Sequence, residues 1–319
     1  MSTAISNPSA SGRPAAETVA APGRAAQPPR RRRGLSFAGI LMTPAVAVMA
    51  LLSIGPFITL ILMSFSRVRL LGGVRLEPVL LDNWIRALTD VNLWKSWAVT
   101  VAFFVSTVGL EMVIGIGIAV ALNQIVRGRS VVLSLVLLPM FVAPVIVGLL
   151  GRYLVDPTFG LYTSWLSAIG IQLDPLGNPL PAFVAVVLMD VWEWTPLVAL
   201  ISLAGLSGVN PSVLEAAALD GAGKFKTLFH IVFPSISNVL LVAFLIRSMD
   251  AVRYFDIITV TTNGGPADAT KIVPLRLFET AFRFFDLGYA AAIGLMMLVV
   301  TIFMARIFVR LLDKKGLAG

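Results

Sequence analysis

The sequence predicts an all-α membrane protein with six spanning helices. Three observations carry that expectation. Of 319 residues, 57% are hydrophobic and only 13% are charged, about half the charged share of an ordinary soluble domain. The mean hydropathy is +0.89. Finally, long uncharged runs recur along the chain, the first from Gly34 to Ser66. A bilayer core needs about 20 apolar residues in a helix to cross it.

The six spans are placed at 37–65, 96–122, 130–151, 182–206, 235–260 and 287–309. Glu111 interrupts the second, and Arg129 and Arg152 bound the third. Asp190 and Glu193 lie within the fourth, and Arg247, Asp250, Arg253 and Asp256 within the fifth. Arg306 lies near the end of the sixth. Residues 1–34 form a separate region, rich in Ala, Pro and Ser and closing on Arg30 to Arg33. With so few apolar side chains to offset ordering entropy, a disordered basic tail is expected there. The arginine run before Gly34 resembles a signal-peptide start, even a twin-arginine one. The apolar run behind it exceeds a secretory core of about 7–15 residues, so a retained span is expected. Residues 35–95 then make the first helix and an external segment, and 96–315 the core.

Lys/Arg bias sets the orientation. The N-terminal tail, the turn with Arg127 and Arg129, the 207–234 loop and the C-terminal Arg310, Lys314 and Lys315 share one side, expected to be cytoplasmic. Both termini then lie inside. The segment 67–95 runs against the bias, with Arg67, Arg69, Arg75, Arg86 and Lys95 on the opposite side, against Glu77, Asp82 and Asp90. The net charge of +8 reads as a topology signal rather than a nucleic-acid surface, and no nucleic acid is expected as a partner.

Several chemistries find no candidates. There is no Cys and one His, so disulfides, thiol nucleophiles and cysteine zinc sites are excluded. Neither His-Glu-x-x-His nor Gly-x-Ser-x-Gly occurs. A phosphate-binding loop is also missing: the nearest string, Gly221-Ala222-Gly223-Lys224-Phe225, has neither the spacing nor the hydroxyl. No catalytic residue and no metal ligand is assigned. No convincing internal repeat is evident, which weakens a secondary-transporter reading.

The most informative stretch runs from Asn210 to Pro234. Asn210 is a helix cap and Pro211 suits the first helical position, where an amide hydrogen has no partner anyway. Gly221 and Gly223 mark a turn. Phe225, Leu228, Phe229 and Val232 fall on one face of a second short helix at three- and four-residue spacing, and Pro234 begins the next span. By pattern alone this is a helical hairpin, either presented to a cytoplasmic partner or lying at the membrane interface. His230 reads as a surface residue.

Here the residues resemble a family. Glu215-Ala216-Ala217, then Gly221, then Ile231, with Phe233-Pro234 closing, is similar to the EAA loop of binding-protein-dependent ABC importer permeases, with Phe233 where Leu is usual. Asn83-Trp84 with Leu93-Trp94-Lys95-Ser96-Trp97, and Met249 to Asp256 followed by Thr262-Asn263-Gly264-Gly265-Pro266, resemble the carbohydrate branch. More narrowly they resemble the first of the two permeases in maltose- and glycerol-phosphate-type importers.

The resemblance implies a coupling helix between the fourth and fifth spans that docks on an ATPase, carried by Glu215, Ala216, Ala217, Asp220, Gly221, Lys224 and Phe225. It implies an inner-membrane location, a second related permease, two ATPase subunits that hold ATP and Mg, an external sugar-binding protein and a carbohydrate substrate. This chain would bind no cofactor and would not be an enzyme. An ATP-independent secondary transporter or channel is the other reading, and a membrane-embedded enzyme a third.

For a substrate path the candidates are Asp190, Trp192, Glu193, Asp250, Arg253, Tyr254 and Asn263. Carboxylates accept from sugar hydroxyls and aromatic rings stack on sugar faces. The charged residues also admit a structural reading, since Arg247 with Asp250 and Arg253 with Asp256 are spaced to pair along one helix face or to meet the partner permease. Glu111 is expected to pair within the bundle and Thr195-Pro196 to kink the fourth span, and the Trp residues equally admit an interfacial or packing reading.

Overall fold

The computed structural model describes residues 37–172 and 174–314, with side chains from 41 to 312 apart from 173. The tail assigned to 1–34 lies outside the described residues up to residue 34. The chain falls into two units, one ending at Ser53 and the other starting at Ile54. In the first, the described residues form the opening half of α1 (Phe37–Ser64), exposed on nearly every side from Leu41 onward.

The second unit starts with the rest of α1. A two-stranded antiparallel hairpin follows, β1 (Ser66–Arg69) and β2 (Arg75–Pro78), and then the short α2 (Asp82–Thr89). This hairpin is an addition to the expected all-α fold. The long α3 (Val91–Gln124) begins five residues before the predicted second span because Asp90 caps it, accepting from the Asn92 amide at 2.8 Å.

The predicted third span is broken. α4 (Arg129–Leu137) runs into a 3₁₀ turn, Leu138–Phe141, and α5 (Pro144–Leu154) leaves at 91° to it. Pro139 and Pro144 each lack an amide donor, and Pro144 also disfavours helical geometry in the residue before it, whereas Leu138 before Pro139 stays helical at φ −52 and ψ −43. Ala143 accordingly adopts an extended conformation, with φ −64 and ψ 137. Among the described residues five helices are long and apolar enough to cross a membrane, or six if the bent pair counts as one span.

α6 (Leu161–Ala168) leads to α7 (Pro179–Ser207), one helix that runs through Pro196. α3 and α7 pack closely at Gly115, where a side-chain carbon would lie 2.8 Å from Val198 Cβ and 3.1 Å from the Ala199 amide. After α8 (Pro211–Leu219), α9 (Lys224–Thr227) passes through a π turn, Leu228–Val232, into α10 (Phe233–Ala251). The result is one spanning helix, Lys224–Ala251. The fifth span therefore starts earlier than the predicted 235, and the second hairpin helix is its first turns. Pro234 has no amide to close a helical bond, and the wider π turn directly before it is the kind of local adjustment found at such interruptions.

α10 stops at Ala251, nine residues short of the predicted end, and α11 (Asp256–Thr261), α12 (Val273–Phe282) and α13 (Leu287–Lys314) complete the chain. The buried core gathers Phe103 of α3, Val186, Val187 and Val191 of α7, Tyr254, Ile257 and Ile258 near α11, and Leu275 of α12.

Candidate functional site: a charge cluster within the bundle and a helical hairpin at its end

Arg247 is the largest fully buried side chain among the described residues, and three helices converge on it. Its Nε donates to Glu111 Oε2 at 2.6 Å and its second terminal nitrogen to Glu111 Oε1 at 2.6 Å, a fork across to α3. The same nitrogen donates to Asp190 Oδ2 of α7 at 2.9 Å, and the other terminal nitrogen to Asp250 Oδ2 at 3.0 Å. The guanidinium carbon lies 5.1 Å from the centre of the Trp194 ring. A planar donor fork matched to a carboxylate gives the strongest class of protein hydrogen bond.

Beside this cluster, the Tyr254 hydroxyl donates to Glu193 Oε2 at 2.7 Å and the Tyr254 ring meets Trp194 edge-on at 6.4 Å. Asp190, Glu193 and Glu111 have essentially no exposed surface, whereas the Asp250 side chain is 43% exposed.

The sequence-derived path residues thus divide. Asp190, Glu193, Asp250 and Tyr254 come together around Arg247. Trp192, Arg253 and Asn263 do not join them. Trp192 faces outward and lines a mostly apolar cavity of about 500 Å³ with Tyr162, Leu188 and Met189. Trp194, two residues on, is the tryptophan that points inward. Helical geometry separates the two, since neighbours two apart do not share a face. Arg253 is exposed and its Nε donates to the Met249 carbonyl at 3.1 Å. The spacing-based pair with Asp256 does not form along a helix because α10 has ended and Asp256 opens α11. Asn263, at φ 50, accepts from Arg283 at 2.8 Å. The expected pairs Arg247–Asp250 and Glu111 within the bundle are both present. Pairing of Asp190 with Arg247, 57 residues away, had no signal in local spacing.

The second site is the hairpin between α7 and α10. Asn210 caps α8, its Oδ1 accepting from the Ser212 amide at 3.0 Å and the Ser212 hydroxyl at 2.9 Å, with Pro211 in the first turn. The C-terminal end closes as a Schellman motif. The Ala222 amide donates to the Ala217 carbonyl at 2.9 Å and the Gly221 amide to Ala218 at 3.1 Å. Gly221 has φ +73, and no atom lies within 4 Å of where its side chain would start. The glycine is needed for its backbone angle, not for room.

Glu215, Ala216, Asp220, Gly221, Lys224 and Phe225 are all exposed, while Ala217 is buried. The four-residue apolar face expected on the second helix splits. Leu228 and Val232 pack with Leu203, Leu206 and Ile236, but Phe225 is 81% and Phe229 58% exposed. With Leu219 at 89%, the hairpin presents bare apolar side chains around an acidic and basic rim. A cavity of about 650 Å³ runs between the end of α7, the start of α8 and the first turns of α10. His230 is exposed, its Nδ1 3.2 Å from the Lys226 carbonyl. Among the described residues no group of His, Asp or Glu is arranged to hold a metal.

A sequence profile described as the binding-protein-dependent transport system inner membrane component matches residues 111–316. The chain belongs to that family. It is a multi-pass inner-membrane permease subunit of a substrate-binding-protein-dependent ABC importer, a transport subunit and not an enzyme. The trehalose/maltose transport system permease protein MalF of Thermococcus litoralis is 37% identical over 223 residues, 70% of this chain and 75% of that one. The trehalose transport system permease protein SugA of Mycobacterium tuberculosis is 30% identical over 287 residues, 90% of this chain and 91% of that one. Among solved structures, a bacterial alginate ABC transporter in complex with an alginate pentasaccharide-bound periplasmic protein has a chain that aligns with a TM-score of 0.74. That alignment is at 20% identity, over 88% of this chain and 94% of that one, and it speaks for the fold alone.

Proposed function

We propose that this permease is one of two non-identical membrane subunits of an ATP-driven sugar importer, coupled to ATPase partners through the hairpin of residues 207–234. The observation that carries the coupling role is the hairpin itself. Capped at Asn210 and closed by a Schellman turn at Gly221, it holds Glu215 on an exposed surface beside bare Leu219 and Phe225. Its second arm is the start of a spanning helix, so a push on the hairpin is a push on α10. The named carbohydrate relatives support a sugar as substrate, with an external sugar-binding protein delivering it.

In this assignment the hairpin, both chain ends and the Arg127–Arg129 turn face the cytoplasm. Residues 1–34 are a basic tail, 35–95 the first helix and its external segment, and 96–315 the core. ATP and Mg are held by the ATPase subunits. Asp250, which keeps exposed surface at the Arg247 cluster, is the path residue closest to contact with a passing sugar, and Arg253 and Trp192, exposed away from that cluster, are separate candidate contacts. Asp190 shapes that path from behind through its bond to Arg247, Glu193 and Tyr254 do so beside the cluster, and Asn263, held by Arg283, is the remaining candidate.

The test is Glu215→Ala in the reconstituted complex. A carboxylate acting only on a helix end is worth about 0.3–1 kcal/mol, and surface changes usually stay within about 0.5 kcal/mol. Truncating one partner of a charge pair buried in a docking cleft costs about 2–5 kcal/mol. The expected outcome is normal membrane insertion with lost ATPase association, or with sugar-stimulated hydrolysis uncoupled from uptake. Wild-type stimulation and uptake in both Glu215→Ala and Gly221→Leu defeats the coupling assignment.

A further inference from the structure

Residues 65–90 connect the end of α1 to the start of α3, two apolar helices long enough to span. Whatever this connector binds must therefore lie within reach of one membrane surface. The hairpin strands are four residues each, about 14 Å at roughly 3.4 Å per residue. That reach exceeds a headgroup layer, about 5–8 Å on each side of the hydrocarbon, so the hairpin can cross it.

The register gives the hairpin two unlike faces. Arg67 pairs opposite Glu77 and Arg69 opposite Arg75, so these four side chains share a face, while Val68 and Leu76 share the other. Arg69 takes Glu77 at 2.9 Å. Arg67 and Arg75 stay exposed and have no carboxylate partner among the described residues. The tip beyond them is apolar, with Leu71 96% and Val74 76% exposed.

α2 continues the pattern. Its buried side carries Asn83 and Ala87, and Asn83 ties it to the hairpin by donating to the Ser64 and Ser66 carbonyls at 3.1 and 3.0 Å. Leu81, Ile85 and Leu88 recur at four- and three-residue spacing on the outward side, all more than half exposed. Trp94 follows, its indole donating to the Leu88 carbonyl at 2.9 Å and its ring about half exposed, with exposed Lys95 beside it.

Apolar stripe, unpaired cations and a half-exposed tryptophan together are the composition of an element lying in a bilayer interface. The geometry points to a lipid-binding element: the hairpin and α2 rest on the bilayer surface, with Arg67 and Arg75 on anionic phospholipid headgroups and Leu71, Val74 and the α2 stripe below them. A soluble acidic protein is the competing occupant. The short tether and the bare apolar tip favour the membrane, and the charge complementarity accounts for Arg67 and Arg75, kept where the orientation rule disfavours them, whereas Arg69 is taken by Glu77 and Arg86 by Asp286. The inference rests on α1 and α3 being spans and not on the transported substrate.

The chain has no cysteine, so Leu71→Cys gives the assembled importer a single fluorophore site on this subunit. The complex is reconstituted in phosphatidylcholine vesicles with and without about 30 mol% phosphatidylglycerol, and with nitroxide-bearing lipid as quencher. The label is expected to be quenched by the nitroxide lipid, and more strongly with phosphatidylglycerol. A cation at an anionic surface is worth about fivefold in partition. Arg67→Gln with Arg75→Gln should therefore remove on the order of tenfold or more of the phosphatidylglycerol effect, with the thermal midpoint unchanged. Three results overturn the inference. The label is quenched only from water; it is shielded only when the external binding protein is added; or its quenching ignores both lipid charge and the arginine changes.

Discussion

Replacing Arg247 with Met should unfasten the bundle, and restoring neutrality should fasten it again. The guanidinium makes four charge-assisted hydrogen bonds to carboxylates on α3, α7 and α10, at 2.6, 2.6, 2.9 and 3.0 Å. Glu111 and Asp190 have no exposed side-chain surface, so Arg247→Met leaves both carboxylates without their cation and away from water. Breaking a buried pair from one side costs about 3–5 kcal/mol, against a total stability of about 5–15 kcal/mol for a typical domain. The variant should be depleted in membranes and should melt well below wild type in detergent. Replacing a whole buried ion cluster with neutral groups is often close to neutral, so Arg247→Met with Glu111→Gln and Asp190→Asn should recover most of the loss. The measurement is the fraction of folded permease after heating, read by size-exclusion chromatography, with membrane levels alongside. If Arg247→Met alone melts like wild type, or the triple variant is no better than the single, the cluster does not hold the three helices together as its geometry requires.

Three further outcomes follow from local geometry. Gly221 has a positive φ and open space around it, so Gly221→Ala and Gly221→Leu should impair coupled transport to a similar degree, each by about 1–2 kcal/mol of backbone strain; a Leu variant far worse than Ala in vesicle uptake would mean that room, not angle, is limiting. Gly115→Ala should destabilise by about 1–3 kcal/mol because its new carbon meets Val198. Gly117→Ala, with nothing within 4 Å, should be neutral or stabilising by up to about 1 kcal/mol, a contrast that a thermal melt resolves. Burial pushes the Asp90 carboxyl up, but the hydrogen bonds from the Tyr289 hydroxyl and the Asn92 amide outweigh it, and the group sits below its ordinary value. Its contribution is then complete above the unfolded aspartate value of about 3.9 and lost as pH falls through the lower folded value. Asp90→Asn should remove that acid limb from the stability profile, seen in melts between neutral pH and about pH 3.

The parts of the fold that were legible in the sequence are those written in local spacing. Hydropathy placed α1, α3, α7 and α13 to within a few residues because a spanning helix is a continuous apolar run. Asn210 and Pro211 announced the start of α8 because capping is a matter of adjacent residues. The third span misled because its apolar content stays high through Pro139 and Pro144, so hydropathy does not register a 91° bend that the two prolines impose. The fifth was misplaced at both ends. Gly223 and Pro234 look like boundaries, yet the π turn carries the helix past Pro234, and the true end at Ala251 has neither Gly nor Pro to mark it. In the charge cluster, Arg247 with Asp250 was readable at three-residue spacing. The bonds to Glu111 and Asp190 join residues 136 and 57 apart and depend on how three helices rotate, which spacing within one helix does not encode. The same rotation separates Trp192 from Trp194, two residues of one type with opposite surroundings.

One helix joins the two sites. Lys224–Ala251 runs unbroken for 28 residues, about 42 Å at 1.5 Å per residue. Its first turns are the second arm of the exposed hairpin, and Arg247 sits in its last. A helix transmits displacement along its axis well only if its hydrogen bonds are continuous, and the π turn at Leu228–Val232 is the one place where that ladder changes pitch. From the last residue of that turn onward, Val232 and Ile236 pack with Leu203 and Leu206 of α7, and Arg247 binds Asp190 of the same helix. α10 is therefore fixed to α7 at two heights, at the end of the π turn and again at Arg247, whereas Phe225 ahead of the turn is 81% exposed. On the proposed coupling role, force applied at Phe225 bends the helix first at the π turn. Only a load the turn does not absorb moves α7 and α10 together, with Glu111 of α3 carried along by the fork on Arg247. The cluster then acts as the fastening that makes three helices respond as one body, and the hairpin as the handle by which that body is moved.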